Sequence, residues 1–399
     1  MNVTINLTFY VTCKMYIYSR VFSEKLRGYA DFVADFRSRI WFTYRRRIKL
    51  GKFQTDAGWG CMLRSGQMLL AEAFLRHCLG REWRLPALRT PRQLLPAKYM
   101  QLLSLFADRQ SGRYSIHAMC NTKADGDQCL TMTPGQWFGP TPVAGLLWHL
   151  MNRHAKVVAA RKAAAPPCDQ VGIVVANDGI VALDTVHLVC TSQNGSSPVH
   201  VQTGGETGPS GGPLLSKLLC GGGPRATAAG GGKWRRSLLL VVPMRLGLQQ
   251  LNTAYTRSLS AALRFPQSVG LIGGKPGRSL FFVGTHGDRN AVYLDPHTVH
   301  VSPLRESHGY KETCVGYNNG GASGEEEAFA RVIESYHCQR PRSLPIDGID
   351  PSLALAFYCR NAEDFCDFCA RAQSDAESMS LDAAGATSLS SVPLPLRVV

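Results

Sequence analysis

Of the thirteen cysteines in this 399-residue chain, Cys61 has surroundings unlike those of the other twelve. Glycines at 58 and 60 flank Trp59 and permit a tight turn, and a long proline-free run follows from Met62 to Leu79. A cysteine in the first turn of a helix meets unpaired N–H groups and the positive end of the helix dipole, and both favour a thiolate. A thiolate nucleophile needs a base, and the base needs an orienting group. Among eleven histidines, His297 has an acid two residues before it in Tyr293-Leu294-Asp295-Pro296-His297. Strand alternation would set Asp295 and His297 side by side on one face, with Pro296 ending the ladder. An isolated cysteine is more often a small buried hydrophobe, and a polar strand end more often a solvated surface. Together, a cysteine and a distant His with a carboxylate nearby have the pattern of a thiol hydrolase.

Other motifs carry less. Cys366-x-x-Cys369 is a single pair without a second at zinc-site spacing, so no metal is expected, and a redox role for it stays open. Gly270 to Lys275 has glycines but the wrong spacing for a phosphate loop, with Pro276 where a Ser or Thr would hold magnesium.

The elements that must position Cys61 and His297 can be read from periodicity. Leu63, Gly66, Leu70, Ala73, Phe74 and His77 recur at helical steps and predict an amphipathic helix with Cys61 at its start. A second helix follows Thr133-Pro134-Gly135, with Pro142 near its start and Val143, Leu146, Leu147 and Leu150 on its buried stripe. GIVVA and GIVAL, split by Asn177-Asp178-Gly179, read as strands, although the second could open a helix. SLLLVVP reads as a strand, a helix is expected from about Leu248 to Leu263, and SLFFVG and AVYLDP suit a hairpin. LALAFYC is a strand, and AEDFCDFCARA a helix. Helix first and strands after suggests α+β and not a doubly wound sheet.

Between these parts, residues 191–233 are glycine-rich and without aromatics, too poor in apolar surface to offset ordering entropy. They are expected to be a disordered insertion within one domain spanning 31–373. Residues 1–30 read as a tail or first strand, and 374–399, small and polar, as a disordered C-terminal tail. The N-terminal stretch is interrupted by Asn2, Asn6, threonines and Lys14 before it reaches membrane-spanning length. An odd number of irregularly spaced cysteines argues against a secreted disulfide framework and for a reducing cytoplasm. A net charge of +15 favours anionic partners. The densest basic run is Arg37, Arg39, Arg45, Arg46, Arg47 and Lys49, without any nucleic-acid-binding motif, so nucleic acid is not an expected partner.

The strings WFTYR (Trp41 to Arg45), TDAGWGCMLRSGQM (Thr55 to Met68), GQWFGP (Gly135 to Pro140), VGLIGGKP (Val269 to Pro276) and YLDPHT (Tyr293 to Thr298) resemble those of the autophagins. These are autophagy cysteine peptidases that process ubiquitin-like modifiers. ESYHCQ and DPSLALAFYCRNAEDF extend the similarity to about Cys369. The resemblance implies a papain-like α+β fold with a small additional subdomain, no cofactor, Cys61 as nucleophile, His297 as general base and Asp295 as its carboxylate. It implies that Tyr44 helps bind the oxyanion and that Trp137 roofs the approach to the nucleophile. The loop Phe265-Pro266-Gln267 matches the movable lid, which makes Pro266 part of the substrate gate.

The implied activity is cleavage after the C-terminal glycine of GABARAP-like modifiers, both in precursors and when joined to phosphatidylethanolamine. Two alternatives stand beside it: a non-catalytic modifier-binding scaffold or membrane-surface adaptor, and a papain-like deubiquitinase. Arg45, Arg46, Arg47 and Lys49 are expected to offer an anionic membrane surface a transient contact. The basic RRRIKLGKFQ segment departs from the family pattern, and the C-terminal tail lacks the family's acidic-aromatic docking peptide. Glu363 to Phe368 resembles that peptide but reads as helix core.

Overall fold

The computed structural model describes residues 14–23, 26–86, 90–91, 94–120, 132–160, 167–192, 233–275, 277–302, 322–385 and 394–398. The N-terminal part contains β1 (Met15–Ile17), β2 (Arg20–Phe22), α1 (Leu26–Arg37), β3 (Tyr44–Leu50) and β4 (Phe53–Thr55). Helices follow: α2 (Cys61–Leu79), α3 (Ala97–Leu105), α4 (Ile116–Cys120) and α5 (Pro140–Ala160). Then come β5 (Val171–Val175), β6 (Ile180–Val181), α6 (Leu183–Thr191), β7 (Ser237–Arg245) and α7 (Thr256–Leu263). The rest comprises β8 (Ser268–Lys275), β9 (Arg278–His286), β10 (Asn290–Leu294), β11 (Val299–Val301), α8 (Ala322–Glu334), β12 (Arg342–Pro345), β13 (Ser352–Cys359), α9 (Ala362–Gly385) and β14 (Arg397–Val398).

The main sheet runs β12-β10-β9-β8-β13-β7-β5, with β1 joined to β9 and β2 to β1; all its pairs are antiparallel except β5 with β7. Both faces are buried, which explains why SLLLVVP and LALAFYC are continuous apolar runs. Leu239, Val241, Ala354, Ala356 and Phe281 face a cluster built with α1, α2, α3 and α5. Their neighbours Leu238, Leu240, Val242, Leu355, Phe357 and Phe282 face a second cluster with α6, α7 and α9. Pro243 is tolerated in β7 because β5 pairs with that strand only as far as Val241. This is the α+β, papain-like arrangement expected. A smaller sheet, β11-β3-β4, carries Tyr44.

The helix that begins at Cys61 is where expected but is not amphipathic. Every residue from Cys61 to Arg76 is buried, because α2 lies between the sheet and α3 and α5. Its charged side chains are matched internally: Arg64 with Asp56 and Asp108, and Glu72 with Arg39 and Arg76. The segment after Asn177-Asp178-Gly179 takes both forms, a two-residue strand and then α6. The helix expected from about Leu248 begins only at Thr256, after a single 3-10 turn at Thr253–Tyr255.

The C-terminal reading needs correction: α9 continues past residue 374 to Gly385, and β14 pairs in parallel with β6. A helix already nucleated against the core extends at little cost through Ala, Glu, Met and Leu, and composition alone concealed this. Leu394, Leu396 and Val398 pack against the second cluster. Residues 1–13 and 193–232, the latter nearly all of the expected insertion, lie outside the described residues.

Candidate active site

Asp56 builds the turn before Cys61. Its carbonyl accepts from Gly60 N (2.9 Å), its Oδ1 accepts from Arg45 N (2.6 Å) and its Oδ2 from Arg64 Nε (2.7 Å). Gly58 has φ +88°, and a Cβ on Gly60 would lie 2.8 Å from Asp56 Cβ, so the Gly-Trp-Gly sequence answers a conformation and a close approach. Arg64 also reaches Asp108 Oδ1 (2.8 Å) and Gln67 Oε1 (3.0 Å). This buried network fixes the first turn of α2 and, with it, Cys61, which is 3% exposed.

His297 reaches the same point from the other half of the chain. Beyond β10 the backbone turns, and Asp295 Oδ1 accepts from both His297 Nδ1 (2.5 Å) and His297 N (3.0 Å). The pair was expected to meet by strand alternation. It meets instead because an aspartate closes a turn two residues on, a local bond for which Asp is well suited. Asp295 Oδ2 has Arg278 and Arg342 each at 3.6 Å. Trp41 Nε1 donates to the Asp295 carbonyl (2.8 Å), Tyr44 N donates to the Pro296 carbonyl (2.9 Å), and the Tyr44 and His297 rings meet edge to face at 5.4 Å.

Around the Cys61 sulfur, the His297 imidazole, the Tyr44 hydroxyl and the Ser279 backbone amide are all hydrogen-bonding neighbours. Burial opposes charge on the sulfur, but these three bonds outweigh it and hold the thiol below its ordinary range. Burial also penalises a charged imidazole, yet the bonds to Asp295 and Cys61 lift His297 to about 9. For Asp295 burial is outweighed by its bonds from His297 and by Arg278, so it stays below the usual carboxylate range. Burial, then the neighbouring sulfur, pushes Tyr44 upward, which keeps it a neutral donor. Lowering the thiol and raising the imidazole both favour a thiolate facing an imidazolium, with a hydroxyl donor beside them. Among the described residues, no group of three or more His, Cys, Asp or Glu side chains could hold a metal ion.

Trp137 is 54% exposed and donates from Nε1 to the Gly58 carbonyl (2.8 Å), three residues before Cys61. The far edge of its indole meets Gly277, where a Cβ would sit 3.0 Å from the ring. Pro266 is elsewhere. Its carbonyl accepts from Arg76 Nη1 (2.9 Å) in the last turns of α2, about 22 Å along that helix from Cys61. The neighbouring Gln267 is buried against Asp364 and Asp367. The expected lid at Phe265-Pro266-Gln267 is therefore corrected: it begins β8 at the far end, whereas Gly277, after the other end of β8, is what meets Trp137. Arg45, expected on a basic surface, is fully buried, over the Tyr336 ring (4.7 Å) and bonded to Ser335. Arg39 is buried too, whereas Arg46, Arg47 and Lys49 are exposed. Cys366 and Cys369 lie in α9, packed within the second cluster.

Four contributors were missed in the sequence: Trp41, Asp56, the Gly58 carbonyl and the Ser279 amide. Only Asp56, before a Gly-x-Gly turn, carries a readable signal, since Asp favours such positions.

A family model described as the peptidase C54 catalytic domain matches residues 29–371. Cysteine protease ATG4A of Xenopus laevis is 33% identical over 343 residues, covering 85% of this chain and 73% of that protein. Cysteine protease ATG4A of Homo sapiens is 31% identical over 347 residues, covering 86% and 74%. Cysteine protease ATG4A of Oryza sativa subsp. japonica is 34% identical over 357 residues, covering 86% of this chain but 62% of that protein. The chain thus spans about three fifths of the length of this rice relative.

Proposed function

This chain belongs to the peptidase C54 family, and from that premise we propose that it is a cysteine endopeptidase that cleaves after the C-terminal glycine of autophagy ubiquitin-like modifiers, GABARAP-like proteins. Its targets are both precursors and modifiers joined to phosphatidylethanolamine. The observation that carries this reading is the Cys61 sulfur beside a His297 imidazole whose other nitrogen is held by Asp295 at 2.5 Å.

Each residue has a role that its position supports. Thiolate Cys61 attacks the glycyl carbonyl carbon, and the carbonyl electrons move to oxygen. Tyr44 O–H and the Cys61 N–H stabilise that oxyanion, a contribution of about 3 kcal/mol for a well-placed donor. Collapse expels the leaving amine, which takes a proton from His297 and leaves a thioester on Cys61. Water then attacks with His297 as base, releasing the glycine carboxylate and restoring the pair. Asp295 orients the ring and stabilises the imidazolium. Trp137, anchored at Gly58 and set against Gly277, leaves a narrow passage that suits glycine and a slim chain. Residues 31–373 act as one peptidase domain, a reading supported by the family match over 29–371.

Arg46, Arg47 and Lys49 on exposed β3 positions give an anionic membrane surface a place to attach. No described helix is long and apolar enough to cross a membrane. We place the protein in the cytoplasm, where its modifier would be reached from solution. The test is incubation with C-terminally tagged modifiers and with ubiquitin, alongside Cys61→Ala. Cleavage of the autophagy modifiers alone, lost in the variant, is expected. Cleavage of ubiquitin instead would make it a deubiquitinase, and binding without cleavage would make it a scaffold.

A further inference from the structure

Well away from Cys61, the last turns of α2 face a cavity of ≈ 260 Å³ lined by Arg76, Arg81, Pro266, Tyr358, Arg360, Asn361 and Asp364. Three of the lining side chains are arginines and one is an acid. Asp364 is already engaged: Oδ1 accepts from Gln267 Nε2 (2.8 Å) and Oδ2 from Arg360 N (2.9 Å). Among the described residues, Arg39, Arg76, Arg81 and Arg84 have Asp35 and Glu72 as their ion-pair partners. Four guanidinium groups against two carboxylates leave an excess of positive charge in a buried setting, which is costly unless an anion approaches.

Arg76 is the residue on which this excess converges. It is 4% exposed; its Nε is bonded to Glu72 (3.0 Å) and its Nη1 to the Pro266 carbonyl (2.9 Å), while Nη2 has no acceptor among the described residues. Tyr18 stacks on the guanidinium at 4.3 Å and supplies no hydrogen bond. A buried, unpartnered charged donor is rare in folded proteins. On the cavity's other side α9 begins just after Asn361, whose Oδ1 accepts from Asp364 N (2.9 Å).

We propose that this cavity is a binding site for a phosphate-type oxyanion, a free phosphate or phosphate monoester, held by Arg76 and Arg360 with Arg81 beside them. Planar guanidinium donors match a tetrahedral oxyanion better than a halide, and the volume is ample for one such group together with several waters. The site lies at the opposite end of the helix from Cys61, so its occupation is independent of peptide cleavage.

The test uses the full chain and two probes at matched ionic strength. Phosphorus NMR and thermal melting follow inorganic phosphate against chloride, and flotation follows phosphatidylcholine vesicles with and without phosphatidic acid. Saturable phosphate binding that raises the melting temperature is expected, weakened about tenfold or more by Arg360→Gln. Arg360 is exposed, so this variant keeps its fold even where Arg76→Gln does not. Flotation that needs phosphatidic acid and is lost in Arg360→Gln, without a phosphate response, assigns the anion to a lipid headgroup. No response in either arm, or a response that Arg360→Gln leaves unchanged, overturns the site.

Discussion

The indole of Trp41 donates a hydrogen bond at 2.8 Å to the carbonyl oxygen of Asp295, across 254 residues of sequence. With the bond from Tyr44 N to the Pro296 carbonyl, it ties the segment carrying His297 to the one carrying Tyr44. Replacing Trp41 by Phe keeps the ring and removes the donor. The expected result is a fall in kcat of about fivefold, equivalent to about 1 kcal/mol, with KM little changed. Steady-state kinetics on a tagged modifier decide it, and an unchanged kcat would show that the bond does not position Asp295.

Activity against pH is expected to be bell-shaped. The rising limb follows ionisation of a thiol held below its ordinary range, and the falling limb lies near 9, where His297 loses its proton. Asp295 raises His297, so Asp295→Asn moves the falling limb to lower pH and cuts kcat by about 10²–10⁴-fold. Thiolate absorbance in the ultraviolet, compared with Cys61→Ser, follows the same ionisation without turnover. A falling limb that stays in place in Asp295→Asn would rule out the assignment.

Buried His337 is expected to contribute a separate loss of stability in acid. Burial lowers it from 6.5 to about 4, and it bonds to Tyr99 O–H (2.6 Å) and the Arg37 carbonyl (2.7 Å). The unfolded chain therefore binds the proton more tightly than the folded one, and stability falls as pH drops from 6.5 towards 4. Denaturant midpoints measured across that window should slope less steeply in His337→Gln. Parallel slopes would point to other groups.

The basic residues before Cys61 are expected to separate by burial. Arg45→Gln removes the bonds to Ser335 and the stack on Tyr336, and should cost about 2–4 kcal/mol of stability. Arg46→Gln, Arg47→Gln and Lys49→Gln together should leave stability within about 0.5 kcal/mol. The triple variant should slow release from anionic liposomes more than cleavage of soluble precursor, by a margin that shrinks with salt. Equal effects on both substrates would reject membrane attraction.

Local chemistry was the most legible part of this molecule. Cys61 could be placed at a helix start because glycines and a proline-free run are next to it, and Asp295 with His297 because two residues separate them. Tyr44 and Trp137 look like core aromatics in the bare sequence, and only family resemblance singled them out. What escaped was set by distant partners. Arg45 is buried because Ser335 and Tyr336, some 290 residues away, receive it, and no composition window contains both. The lid was misplaced for a related reason: the two ends of β8 are similar in sequence distance from the motifs but lie at opposite ends of a strand. The amphipathic reading of α2 failed because Arg64, Glu72 and Arg76 look solvent-facing until their buried counter-charges are known.

The position of β13 has a consequence for the order in which the chain is made. β7 and β8 are not paired with each other; each pairs with β13, which lies between them and is synthesised after both. A ribosome that has already translated Cys61, Asp295 and His297 therefore holds two halves of a sheet with bare apolar edges, open to chaperones and to aggregation. Only when Cys359 clears the exit tunnel can the last strand slide between them. A premature stop between His297 and Cys359 yields a product carrying Cys61, Asp295 and His297 on an unclosed sheet, a substrate for quality control.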